Sequence, residues 1–260
     1  MTAAAVRVPV LMYHEIAERW DTDSHLAVSP TRFAAQLGYL RSAGFTAITG
    51  AELSAALAAG PDRLPARPVV LTFDDGYADF HRRALPLLDA HGFTATLFVT
   101  TGWEQDADMR RAAPGRMLNH TQLAEAARAG IEIGAHTRSH PQLDTLPEQL
   151  VRDELGASKQ WLESKLGLAV QGLAYPFGYS SALVRDVARE SGYDYAHAVD
   201  NRMAGPAADA FRIPRLTVRR ATTLPEFIRL VHGQTTLRLV EDRAKTRAWS
   251  VVRQVRAACC

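Results

Sequence analysis

The 260-residue sequence holds only two cysteines, Cys259 and Cys260, adjacent at its end. They can frame neither a disulfide scaffold nor the spaced thiols of a structural zinc site. Charge of one sign is also scarce. The 30 basic and 28 acidic side chains leave a formal net charge of +2, which excludes a strongly basic nucleic-acid binder. No apolar run reaches the roughly 18 residues of a membrane span. The N-terminus lacks an unbroken apolar stretch, because Arg7 and Pro9 interrupt it and His14 and Glu15 follow. That pattern predicts a cytoplasmic chain rather than an exported one. No glycine-rich phosphate loop follows the early strands, which disfavours a dinucleotide-binding sheet.

What is present has the balance of a globular enzyme, 47 % hydrophobic and 22 % charged. Such a chain buries about three quarters of its unfolded surface without staples. Short, β-branched apolar runs at 8–13, 69–73, 94–99, 132–135, 172–174, 195–199 and 213–218 predict strands. Apolar residues three and four apart predict helices at 31–43, 52–59, 79–91, 121–129, 148–166 and 182–191. Gly44, Gly60, Gly92, Gly130, Gly167 and Gly192 each stand where a helical pattern stops. Repeated strand–helix alternation predicts an α/β fold with parallel strands. Strands apolar on both faces suit a barrel wrapped in helices, although the pattern alone also fits an open doubly wound sheet.

Chemistry-bearing residues gather where these strands end. The run 69–73 passes straight into Asp74, Asp75, Gly76 and Tyr77. Two adjacent carboxylates at a buried strand end repel, and one stays protonated unless a cation compensates. A metal ion resolves this by binding one carboxylate and leaving the other as a base. The plain structural reading is a helix N-cap by Asp75 or Asp79. After the strand at 132–135 come His136 and His140. Imidazoles four apart can meet one ion if the segment turns like a helix. Two histidines and one carboxylate, with positions open for water and substrate, are the donor set of a catalytic zinc-type site. Two surface histidines in a loop are the plain alternative. Glu132, earlier on that strand, reads as a structural charge. After the strand at 172–174, Tyr175, Pro176, Phe177, Gly178 and Tyr179 form a tight loop. Such a loop can aim a backbone N–H at a reacting oxygen or simply pack an aromatic ring.

The order TFDDGY, HTRSH, AYPFG resembles the polysaccharide deacetylase family, also known as carbohydrate esterase family 4 or the NodB-homology enzymes. The likeness runs from about Val8 to Val218. The opening VPVLMYHEI, with FAAQLGYLRSAGFTAIT after it, is similar to the branch containing the poly-N-acetylglucosamine deacetylases. The resemblance implies a distorted (β/α)7 barrel and hydrolysis of an N-acetyl group on an amino sugar. It implies one divalent metal ion, zinc first, with cobalt, nickel or iron(II) as alternatives. It makes Asp74 the general base and Asp75, His136 and His140 the metal ligands. It gives the Phe177 backbone N–H the developing oxyanion, with Tyr175 and Pro176 on the substrate side. Most members carry a histidine acid in a late Leu-x-His motif, but the stretch 212–218 has none. In the poly-N-acetylglucosamine branch the acid sits in an early Tyr-His pair, which here is Tyr13 and His14, so His14 is the candidate acid. Many relatives pair the base with an arginine at the start of the third motif. Ala174 stands there, and Arg215 is the candidate substitute. Asp194, between Tyr193 and Tyr195, resembles a fourth family motif; a turn explains it equally well.

The predicted division is a catalytic domain over 1–220 and a helical tail over 221–260 packed on it. The tail carries seven basic and three acidic side chains. Leu224, Phe227, Ile228 and Val231 recur at helical spacing, as do Trp249, Val252 and Val255. A terminal helix with a solvated basic face is the plain reading, and peripheral contact with a membrane surface is the other. The triplet Asn119, His120, Thr121 reads as the approach to a helix capped by Thr121. The partner these residues imply is an N-acetylated carbohydrate, with no nucleic acid. The alternatives are an O-acetyl esterase on acetylated sugars and a carbohydrate-binding protein with an inactive site; the presence of all four metal-site residues weighs against the latter.

Overall fold

The computed structural model describes residues 6–18, 24–104, 107, 109, 112–235 and 239–244. In chain order the elements are β1 (Val10–Tyr13), α1 (Pro30–Ser42), β2 (Thr46–Ile48), α2 (Gly50–Ala59), β3 (Pro68–Phe73), α3 (Leu85–His91), β4 (Thr96–Val99) and α4 (His120–Arg128). They continue with β5 (Glu132–Ala135), α5 (Glu148–Leu166), β6 (Gly172–Ala174), α6 (Ala182–Glu190), β7 (Tyr195–Ala198), β8 (Ile213–Pro214), β9 (Leu216–Thr217) and α7 (Leu224–Val231).

Every strand pairing between these elements is parallel, in the spatial order β8-β7-β6-β5-β4-β3-β1-β9. The strands β8 and β9 are two halves of one extended stretch. Ile213 and Pro214 pair with β7, whereas Leu216 and Thr217 pair with β1. That stretch therefore closes the sheet into a seven-staved (β/α) barrel, as the family resemblance implies, and not the open doubly wound sheet that the pattern alone also allowed. Arg215 sits at the closure, between the two pairings. The short strand β2, absent from the sequence reading, adds to β3.

Local signals set the helix ends. Ser29 caps α1, with Pro30 as its first residue. Thr49 and Glu52 form a capping box on α2. Asn119 and Gln122 form another on α4, so the cap is Asn119 and not the expected Thr121. Asp79 caps nothing: its carboxylate accepts the Ile16 backbone N–H instead. A π-helical turn, Phe80–Ala84, leads from there into α3.

Two cores result from the two-residue period of the strands. Leu11, Tyr13, Val69, Leu71, Phe73, Leu97 and Val99 face outward under the helices. Val10, Val70, Phe98, Ala174, Tyr195 and Ile213 fill the barrel. The helix α7 adds Phe227, Leu230 and Val231 to the outer core, and Leu239 joins them. Trp249, Val252 and Val255 lie outside the described residues. No helix among the described residues is long and apolar enough to cross a membrane.

Candidate active site

The same alternation that sorts the cores aims the functional side chains. On β3, Val70 and Thr72 point inward, so Asp74 is next in that phase; Ile213 sets the phase for Arg215. His14 continues Val10 and Met12, and His136 continues Gly134. Parallel register places His14, Asp74 and His136 at the C-terminal rim of the barrel, where active sites of such barrels form, and the Arg215 side chain reaches Asp74 there. A cleft of about 590 Å3 opens at this rim, and His14, Asp74, Asp75, His136, His140 and Arg215 all line it.

Asp74 is buried and gripped by Arg215. Arg215 Nη1 donates to Oδ1 at 2.6 Å and Nη2 to Oδ2 at 2.8 Å, a bidentate pair. Arg215 is itself 1 % exposed and also donates to Thr72 Oγ1 and the Ala198 carbonyl. Burial alone would raise the Asp74 carboxyl. The charge of Arg215 and its two direct hydrogen bonds outweigh burial and hold the carboxyl well below the usual carboxylate range. Asp74 is therefore ionised. The expected guanidinium partner for Asp74 is present, supplied from the closing strand rather than from position 174.

Asp75 leaves the strand phase because its φ is +74°, in the left-handed region. Its Oδ1 lies 3.5 Å from His136 Nε2 and 3.4 Å from His140 Nε2. Tyr77 bonds the Asp75 side chain, yet Oδ1 itself is buried with no hydrogen-bond partner. Burial first, then the charges of Asp74 and Glu15, push this carboxyl up to about 8.

The histidines are presented as bases. His136 Nδ1 is 2.7 Å from the Ala174 carbonyl. A carbonyl only accepts, so Nδ1 carries the hydrogen and Nε2 turns its lone pair toward Asp75. Burial pushes His136 down to about 3 and lowers His140 as well. Two neutral imidazole nitrogens facing an orphaned carboxylate oxygen repel one another without a cation between them. Their 3.4–3.5 Å spacing agrees with the ~3.3 Å between two ligands that each lie about 2.0–2.1 Å from a tetrahedral ion. The three donors lie within 4.8 Å of one another, and the set fits a divalent metal.

The HTRSH turn is held from outside the motif. Glu154 on α5 accepts the backbone N–H groups of Arg138 (2.9 Å) and Ser139 (2.8 Å) and the Ser139 hydroxyl. Thr137 Oγ1 accepts the His140 N–H, and Thr137 and His140 both have positive φ. Trp103, just after β4, stacks on His140 with ring centroids 5.0 Å apart. Sequence reading missed Glu154 and Trp103, because neither belongs to a local motif.

His14 lines the cleft with a buried, unpartnered Nδ1. Burial pushes its imidazole down to about 4 against the pull of Asp74, so it is neutral at neutral pH. Phe177 stands at the tip of a tight turn with φ +60°, half exposed, its ring edge-on to His140 and stacked with Tyr179. Tyr175 and Pro176 do not reach the cleft, contrary to the expected substrate contact. Strand alternation turns the Tyr175 ring into the outer core, where its hydroxyl donates to the Phe211 carbonyl at 3.0 Å; Pro176 is buried beside it. They shape the turn that presents Phe177. Asp194 precedes β7 at the opposite rim and accepts from Gln171, so it takes no part in the site. Glu132, at that same far end, accepts from Tyr195, Thr96 and the Ala51 N–H, in keeping with a structural charge.

A parallel (β/α) barrel with an Asp-His-His cluster beside an arginine-held carboxylate has the build of a metal-dependent hydrolase. The polysaccharide deacetylase family model matches residues 62–196, just over half of the sequence, and the chain belongs to that family. A provisionally named polysaccharide deacetylase of Bacillus subtilis, YxkH, is 28 % identical over 218 residues, 84 % of this chain and 73 % of the relative. The poly-beta-1,6-N-acetyl-D-glucosamine N-deacetylase of Escherichia coli K12 is 23 % identical over 252 residues, covering 84 % of this chain but only 37 % of that protein. Among solved structures, the Streptococcus pyogenes deacetylase PplD in complex with acetate superposes with a TM-score of 0.78 at 25 % identity, over 88 % of this chain and 99 % of that one. IcaB from Ammonifex degensii gives 0.73 at 26 %, over 87 % and 96 %.

Proposed function

We propose that the protein hydrolyses the N-acetyl amide of amino-sugar residues in a carbohydrate chain, releasing acetate and a free amine. The observation that supports this most is the convergence of Asp75, His136 and His140 on one point beside the Arg215-held Asp74. Family membership and relatives named for deacetylating poly-N-acetylglucosamine support the substrate class.

Asp75, His136 and His140 hold the ion. Zinc is the ion proposed, because two imidazoles and one carboxylate with open positions suit a borderline cation; cobalt, nickel and iron(II) take the same donors. When bound, the ion neutralises the carboxylate pair, polarises the acetyl carbonyl and acidifies water. Asp74 accepts a proton from the water whose oxygen bonds to the acetyl carbon. It starts ionised at every physiological pH, and its weak basicity means it holds that proton only briefly. The Phe177 backbone N–H donates to the carbonyl oxygen as negative charge builds there. His14 begins neutral, takes up the proton that Asp74 has drawn from water, and delivers it to the sugar nitrogen as the carbon–nitrogen bond breaks.

Acetate release from N-acetylglucosamine oligomers, with O-acetylated xylo-oligomers as the comparison, tests the reading. The zinc-loaded protein should release acetate from the former, lose activity on chelation and regain it with zinc. Release only from the O-acetyl substrates, or undiminished rates after metal removal, would overturn it.

A further inference from the structure

The cleft has a wall that no part of the barrel provides. Residues 239–244 form a helical segment after the barrel, and Asp242 of that segment lines the cleft together with the metal-site residues. Three attachments hold it there. Leu239 is buried in the outer core. Arg243 Nε donates to the Asn201 carbonyl at 3.0 Å. Asp242 accepts from Arg219 Nη1, and Arg219 lines the cleft as well. The receiving surface is itself fixed. Asn201 is buried with φ +52°, and its Oδ1 accepts from the backbone N–H and the hydroxyl of Thr217 at the end of β9. The Arg219 backbone N–H in turn donates to Thr222 Oγ1 at 3.0 Å.

We propose that Asp242 and Arg219 form a specificity wall that binds the hydroxyl groups of the sugar being deacetylated; this rests on the deacetylase reading above. The pair offers a carboxylate acceptor and guanidinium donors side by side, the complement of neighbouring sugar hydroxyls, each of which both donates and accepts. The side chains keep 12 % and 22 % exposure, so a ligand in the cleft can reach them without breaking the pair. Bonds to sugar hydroxyls do not change as the amide reacts, so they contribute equally to bound substrate and transition state, and they set KM rather than kcat.

The test is initial-rate kinetics of the zinc-loaded full chain on N-acetylglucosamine oligomers. Asp242→Asn keeps an acceptor for Arg219 but loses the charge-assisted bonds. It should raise KM about five- to twentyfold, roughly the difference between a charge-assisted and a neutral hydrogen bond, with kcat within about twofold. The exchange Arg219→Asp with Asp242→Arg rebuilds an ion pair with its ends reversed, and KM should stay high. A KM within twofold of wild type in Asp242→Asn, or wild-type KM in the exchanged protein, would show the pair to be a latch only and overturn the proposal. If the wild type releases no acetate, the deacetylase reading fails separately. Calorimetry with the same oligomers then decides the wall: weaker binding by Asp242→Asn supports it, and equal binding, or none to either protein, overturns it.

Discussion

Asp74 and Asp75 are neighbours in sequence, both buried, and are driven in opposite directions. Burial raises both. Asp74 is brought down again by two parallel bonds from Arg215, whereas Asp75 faces Asp74 and Glu15 and stays up near 8. Arg215 is thus the residue that sets the two carboxyls apart, as the proposed division into base and metal ligand requires. Arg215→Ala should let burial dominate at Asp74, so the carboxyl rises and the base is lost as pH falls through the raised value. The acid limb of the pH–rate profile should move upward, and kcat near neutrality should fall about 10²–10⁴-fold. Removing one partner of a buried pair also costs about 3–5 kcal/mol of stability. Arg215→Lys, which keeps a cation without the fork, serves as the companion and should fall between the two. An acid limb that stays in place in both variants would separate Arg215 from the work of Asp74.

The HTRSH turn shows what an element owes to its neighbours. Two positive-φ residues, Thr137 and His140, bring both imidazoles to one side, and such backbone persists only when its surroundings impose it. Glu154 on α5 is the main such constraint, taking two backbone N–H groups and a hydroxyl. Glu154→Ala should weaken zinc affinity about 10–100-fold, as loss of an outer-shell partner commonly does, while the fold remains; competition with a chromogenic chelator measures it, and unchanged affinity would remove Glu154 from this role. No local spacing could have disclosed Glu154, since a glutamate on a polar helix face looks like any solvated charge. Asp74, Asp75, His136 and His140 were legible because each pair stands within one short motif at a strand end. Arg215 was legible only as a candidate, because pairing 141 residues apart is fixed by barrel closure and not by periodicity. The strand β2 escaped notice because only Ile48 of its three residues is buried, so no apolar run marks it as β6 is marked. Tyr175 was misplaced because a motif names residues without saying which face of the strand they take.

At the scale of the whole molecule, the barrel is a tube with chemistry at one end and a polar plug at the other. The plug is built around Tyr195, whose ring passes so close to Gly50 and Gly172 that a Cβ on either would lie 2.3 Å from its hydroxyl oxygen. Glycine at both positions lets the inner layer close around the ring. The Tyr195 hydroxyl donates to Glu132 at 2.7 Å, Thr96 Oγ1 donates to it at 2.8 Å, and Thr96 in turn accepts the Gly50 N–H. These bonds tie β4, β5, β7 and the start of α2 together at the end of the barrel opposite the cleft. Burial nevertheless raises the Glu132 carboxyl above its ordinary value, against the lowering by Tyr195, the Ala51 N–H and Thr96. A carboxyl that titrates higher in the folded state gives stability that is fully present below its unfolded pKa of about 4.3 and is lost as pH rises through the folded value. Glu132→Gln has no such proton to lose. Unfolding midpoints of the two proteins, measured from pH 4.5 to 8.5, should therefore diverge with pH, with the wild type losing ground to the variant as pH rises. A difference that is constant across that range would mean that Glu132 titrates alike in both states and that the plug contributes through packing alone.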